Sequence, residues 1–167
     1  GGSTSNVEMA RHYGCKVVVQ VGCVKDAREA LEEGVDCIVA QGTEAGGHGL
    51  RPEYGSGTLP LAARIVSLVR SSPTPDTPVL AAGGISDGRG LAAALALGCD
   101  GAALGTRLLT SIEASGPKIY KERIASGSFG GTDEAVRTTA LDAIANAYRE
   151  FPWPEPYDSS GVLRNGT

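Results

Sequence analysis

Residues 36–50 read DCIVAQGTEAGGHGL, and the step from Ala40 into Gln41 decides the fold. The run Cys37-Ile38-Val39-Ala40 is apolar, short and partly β-branched, as a strand buried on both faces should be. It breaks at Gln41-Gly42 into a loop that carries Glu44, the pair Gly46-Gly47 and His48. Proteins of the α/β class place their sites where strands end in polar, glycine-rich loops. A backbone without Cβ atoms at Gly46 and Gly47 can lie close against a flat ligand. His48 is one of two histidines, and an imidazole exchanges a proton near neutral pH.

The same pattern repeats on either side. Residues 16–22, KVVVQVG, form a β-branched strand closed by glycine, and residues 24–33 place Ala27, Ala30 and Leu31 on one helical face. Residues 59–69 have helical spacing at Leu61, Ile65, Leu68 and Val69, and the proline-rich stretch 71–78 stops any helix. A third strand, 79–82, runs into Gly83-Gly84-Ile85, and Ser86 or Asp87 caps a helix over 89–97. A fourth, 101–104, runs into Gly105-Thr106-Arg107. Helices are also predicted over 7–13, 117–126 and 142–151, with extended chain over 135–141.

Four β-α repeats, with strands about 20–40 residues apart, imply parallel strands joined by right-handed crossovers. Four units are half of a TIM (β/α)8 barrel, which typically needs ~250 residues. A small doubly wound sheet is the alternative, and the loop residues favour the partial barrel. Residues 1–150 are thus assigned to the C-terminal half of a β/α barrel and 151–167 to an irregular tail.

The 167 residues carry a formal charge of −4, which argues against nucleic acid or an anionic membrane as partner. No apolar run approaches the ~20 residues of a membrane span. No signal pattern is visible at the start, so a cytoplasmic location is expected. Cys15, Cys23, Cys37 and Cys99 show no metal-binding spacing and read as small buried thiols.

Three stretches carry chemistry. The first is Gln41 to His48. The second is PVLAAGGISDGRG at 78–90, where Gly83 and Gly84 precede a helix N-terminus whose N–H groups can hold a phosphate. The third is DGAALGTR at 100–107, where Gly105 stands beside the hydroxyl of Thr106. Phosphate sites built from the loops after the last two strands recur in β/α barrels. A tight βα turn at Gly83-Gly84 and close packing at Gly105 explain the same residues without a ligand. Glu44 reads as a solvated loop carboxylate and His12 as a helix-surface histidine. Arg107 fits either a ligand contact or a helix-cap partner.

At these residues the sequence resembles the nitronate monooxygenase (2-nitropropane dioxygenase) family. The matching segments are AQGTEAGGH (40–48), PVLAAGGISDGRGLAAALALG (78–98), DGAALGTRLLTSIEA (100–114) and FPWPEPYDSSGVLRN (151–165). The resemblance implies a TIM-barrel flavoprotein that uses FMN and no metal. Its reaction would oxidise alkyl nitronates with dioxygen to a carbonyl compound and nitrite. It implies His48 as the catalytic base, taking the α-proton of a nitroalkane. It implies FMN contacts at Gln41, Gly46 and Gly47, and FMN phosphate loops at Gly83-Gly84 and at Ala103, Leu104, Gly105 and Thr106. The family's N-terminal half is not among these residues, so the chain is expected to be the C-terminal half of a longer barrel or to self-associate. The EAGGH pattern is shared with FMN-dependent enoyl-acyl-carrier-protein reductases, where Glu is expected in place of Gln41. A non-catalytic flavin- or phosphate-binding half-barrel is the third reading.

Overall fold

The computed structural model describes residues 5–126 and 135–163. In chain order the elements are α1 (Asn6–His12), β1 (Val18–Val21), α2 (Val24–Glu33), β2 (Cys37–Gln41), β3 (Gly47–Gly49), α3 (Thr58–Arg70) and β4 (Val79–Ala82). They continue with α4 (Gly88–Ala96), β5 (Gly101–Ala103), α5 (Thr106–Leu109), α6 (Lys118–Ser126), β6 (Ala135–Thr138), α7 (Ala140–Ala145) and β7 (Ser159–Leu163).

Four strands pair in parallel in the order β1-β2-β4-β5, the order of the chain. A doubly wound sheet reverses its strand order at a switch point. Here there is no reversal, and α2, α3 and α4 pack side by side along one flank of the sheet. That is the arrangement of consecutive βα units in a barrel wall. Apolar spacing explains the packing: α3 buries Leu61, Ala62, Ile65, Val66 and Val69, on one stripe of the helix. Those side chains join Ile38, Ala40, Val79 and Ala81 in one core.

Register matters more than packing for the site. Val21 is level with Ala40, Gln41 with Ala82, and Ala82 with Ala103. The loops that follow all four strands therefore leave from one edge of the sheet.

A second, antiparallel sheet stands beyond that edge, in the order β3-β7-β6. Two sequence expectations are corrected here. The loop between β2 and α3 contains a strand, and the tail from 151 is not irregular as far as Leu163, because Ser159–Leu163 forms the central strand of this sheet. Its partners lie over 20 and over 100 residues away, so no local pattern of alternation revealed it. The helix expected over 142–151 instead spans Ala140–Ala145, where the chain turns so that Arg149 returns to Asp142. Cys99 is buried as expected, but Cys15 is exposed. Among the described residues no helix is long and apolar enough to cross a membrane. Residues 1–4 and 164–167, including the end of the 151–165 segment, lie outside the described residues.

Candidate active site

His48 sits at the centre of β3, directly opposite Ser160 of β7. Cross-strand partners in an antiparallel pair project to the same face. Both side chains accordingly meet the same carboxylate, that of Asp142 in the first turn of α7. His48 Nε2 lies 2.7 Å from Asp142 Oδ1, and Ser160 Oγ donates to Oδ2 at 2.9 Å. Arg149 adds a third hydrogen bond, to Oδ1 at 2.9 Å. Asp142 is 1 % exposed, whereas the His48 side chain keeps 26 % of its surface open.

Burial works against a charge on Asp142. The hydrogen bonds from His48, Ser160 and Arg149 outweigh it and hold the carboxyl below the ordinary carboxylate range. The face of the imidazole is covered by Trp153, stacked at 4.4 Å between ring centroids and 13° from parallel.

The loop that bears His48 is fixed from several directions. Gln41, buried at the end of β2, donates its side-chain N–H to the His48 carbonyl at 2.8 Å. The Arg137 guanidinium, half-buried, donates to the carbonyls of Thr43, Gly47, Ala45 and Ser159. A Cβ at Gly161 would stand 2.5 Å from the Ala45 carbonyl oxygen, so only glycine lets β7 approach this loop. Arg51 grips Asp158 with two hydrogen bonds at 2.7 and 2.8 Å and reaches Glu155. Tyr157 accepts from the Gly22 N–H at 3.0 Å and donates to Asp26, which binds the tail to the end of β1.

The glycine loops meet the same rim. Gly83 and Gly84 have φ values of 119° and 66°, a left-handed turn that residues with a Cβ rarely adopt. Gly83 packs against Ala45 and Thr58, and a Cβ at Gly46 would lie 3.1 Å from Thr106 Oγ1. Ala103 ends β5, with Leu104, Gly105 and Thr106 following it at the edge. The sites named from sequence at Gln41, Gly46, Gly47, His48, Gly83, Gly84, Ala103, Leu104, Gly105 and Thr106 thus lie along one edge.

Two expectations change. Glu44, though exposed, is anchored: its carboxylate accepts from the Thr58 N–H at 2.9 and 3.1 Å, holding the N-terminus of α3. At α4 the helix N-terminus is already occupied, because Asp87 accepts from the N–H groups of Arg89 and Gly90. Arg107 bonds Thr110 at 3.1 Å within its own turn, the helix-partner reading. His12 is exposed and packs edge-on against Tyr13.

Residues 2–145 match the nitronate monooxygenase family. The chain belongs to the nitronate monooxygenase family. A nitronate monooxygenase of Neurospora crassa is 42% identical over 158 residues, which is 93% of this chain and 40% of that protein. The nitronate monooxygenase npaC of Metarhizium robertsii is 40% identical over 150 residues, 89% of this chain and 40% of that protein. Among solved structures, FabK from Thermotoga maritima superposes with a TM-score of 0.72 at 31% identity, over 98% of this chain and 44% of that one. The nitroalkane oxidase of Streptomyces ansochromogenes gives a TM-score of 0.63 at 35% identity, over 74% of this chain and 36% of its own. The fold is that of a partial TIM barrel, and the chain spans about 40% of the length of these curated nitronate monooxygenases.

Sequence reasoning missed Asp142, Ser160, Arg149, Trp153 and Arg137. One signal was present: Asp142 is the lone charged residue in the Ala-rich run ALDAIANAY (140–148), and a buried carboxylate needs partners.

Proposed function

We propose that the chain provides the proton-abstracting side and the phosphate rim of an FMN-dependent nitronate oxidation, in which dioxygen converts an alkyl nitronate to a carbonyl compound and nitrite. The observation that carries this reading is His48, tied to a buried carboxylate and stacked on Trp153 yet keeping 26 % of its surface open, beside the edge where four parallel strands end. As general base His48 takes the α-proton of a neutral nitroalkane: the C–H bond breaks, an N–H bond forms, and the electron pair moves into the nitro group.

The rim suits a flavin phosphate. Around Gly105 a Cβ would meet nothing within 4 Å, and Gly84 meets only Glu44 methylenes, so the backbone there is open to a ligand. Gly47, beside His48, likewise meets nothing within 4 Å. Bound there, FMN supplies the electron transfer between nitronate and dioxygen. Gln41 acts on this rim indirectly, by fixing the His48 carbonyl.

The test is turnover of a primary nitroalkane with FMN added. His48→Ala should lower it by roughly 10²- to 10⁴-fold, the usual share of a general base. Unchanged turnover in that variant refutes the assignment.

A second reading, an FMN-dependent enoyl-acyl-carrier-protein reductase-like enzyme, keeps support from the EAGGH motif. The superposition on FabK, which extends over 98% of the chain, keeps it in play. Rapid anaerobic bleaching of the flavin by NADH or NADPH favours it over the first.

A further inference from the structure

We propose that Asp142 is a positioning residue that locks His48 in the tautomer with the proton on Nε2, leaving the Nδ1 lone pair as the base. The catalytic part of this inference rests on the reading of His48 given above; the tautomer itself does not.

The argument is one of donors and acceptors. Arg149 can only donate, and it donates to Oδ1. Ser160 Oγ lies 2.9 Å from Oδ2, and His48 Nε2 lies 2.7 Å from Oδ1. An ionised carboxylate has no proton to give, so every group around it must be the donor. Nε2 is therefore N–H. A neutral imidazole carries one N–H, and the second nitrogen is then the acceptor.

Three features keep the arrangement from relaxing. Asp142 is almost entirely buried, so water cannot replace a lost donor. Arg149, brought back by the turn after α7, supplies the positive charge that keeps the carboxylate ionised when His48 is neutral. Trp153 lies flat on the imidazole and opposes rotation of the ring about its χ2 axis.

Long-range ¹H–¹⁵N spectra of histidine-labelled chain, recorded where the ring is neutral, read the tautomer directly. His12→Gln removes the second signal. The expected pattern for His48 is a single Nε2–H tautomer. Asp142→Asn should shift the population toward Nδ1–H, because its amide N–H can now donate to Nε2. An Nδ1–H pattern or an even mixture in the unmodified chain overturns the proposal, whatever the fate of the variant.

Kinetics give an independent arm, with FMN present. Asp142→Asn should lower kcat on a neutral nitroalkane by roughly 10²- to 10⁴-fold with little change in KM. Its loss on a pre-ionised nitronate, which needs no proton abstraction, should be at least about tenfold smaller. Equal losses on both substrates mark Asp142 as merely structural and overturn its positioning role. If His48→Ala leaves turnover intact while the Nε2–H tautomer is seen, the functional reading fails and the tautomer assignment stands.

Discussion

Around the parallel strands the largest fully buried side chains include Ile38, Leu61, Ile65, Val69 and Val79. Around the antiparallel strands they are Asp142 and Ser159, with Ser160 close behind. The first region is held by non-directional burial, which tolerates small shifts provided the volume is filled. The second is held by directional bonds, in which a shift of an ångström breaks a contact. A barrel wall needs only to stay closed, whereas a base has to be aimed. The two sheets divide those tasks, and the rim of glycine loops is where they meet.

The sharpest way to break this contrast is to remove apolar volume from the wall. Leu61→Ala should cost about 2–5 kcal/mol, read from the urea midpoint, because a leucine that is 1 % exposed leaves a cavity when shortened. A cost near zero would mean that the wall, too, rests on polar contacts.

The next effect is acid sensitivity. The Asp142 carboxyl is held below its ordinary value when folded, so on acidification the unfolded chain takes up this proton first. Its contribution to stability is complete above the ordinary carboxylate pKa of ~3.9 and is lost as pH falls through the folded value. Asp142→Asn should cost roughly 1.5–3 kcal/mol near neutral pH and flatten that acid limb in denaturation curves measured from pH 6 to 2.

Gly161→Ala probes the seam between the two regions. Its methyl would meet the Ala45 carbonyl oxygen at 2.5 Å, and both are backbone, so β7 or the His48 loop must move. A destabilisation of about 1–3 kcal/mol is expected in thermal melts. A neutral result would show that the loop is free to yield.

The wall was legible because its signals are local. β-Branched runs closed by glycine marked Val18–Val21 and Cys37–Gln41, and helical spacing marked Thr58–Arg70 within a residue or two. His48 was legible for the same reason, standing among glycines at a strand end. Its partners were not. Asp142 lies 94 residues away, and nothing around it forms a motif until β7 supplies the opposite strand. Trp153 lies in the proline-rich stretch assigned to the irregular tail, and nothing aims it at His48 until Arg51 and Tyr157 fasten that stretch in place. The carbonyl contacts of Arg137 are likewise invisible to any pattern, because backbone oxygens occur at every position.

The stacking of Trp153 on His48 has an optical consequence. Trp153 is the sole tryptophan of the chain, so all indole emission arises beside this imidazole. The fluorescence of the unlabelled protein therefore reports on this one ring pair, and any change in how Trp153 lies on His48 is readable without substrate or flavin.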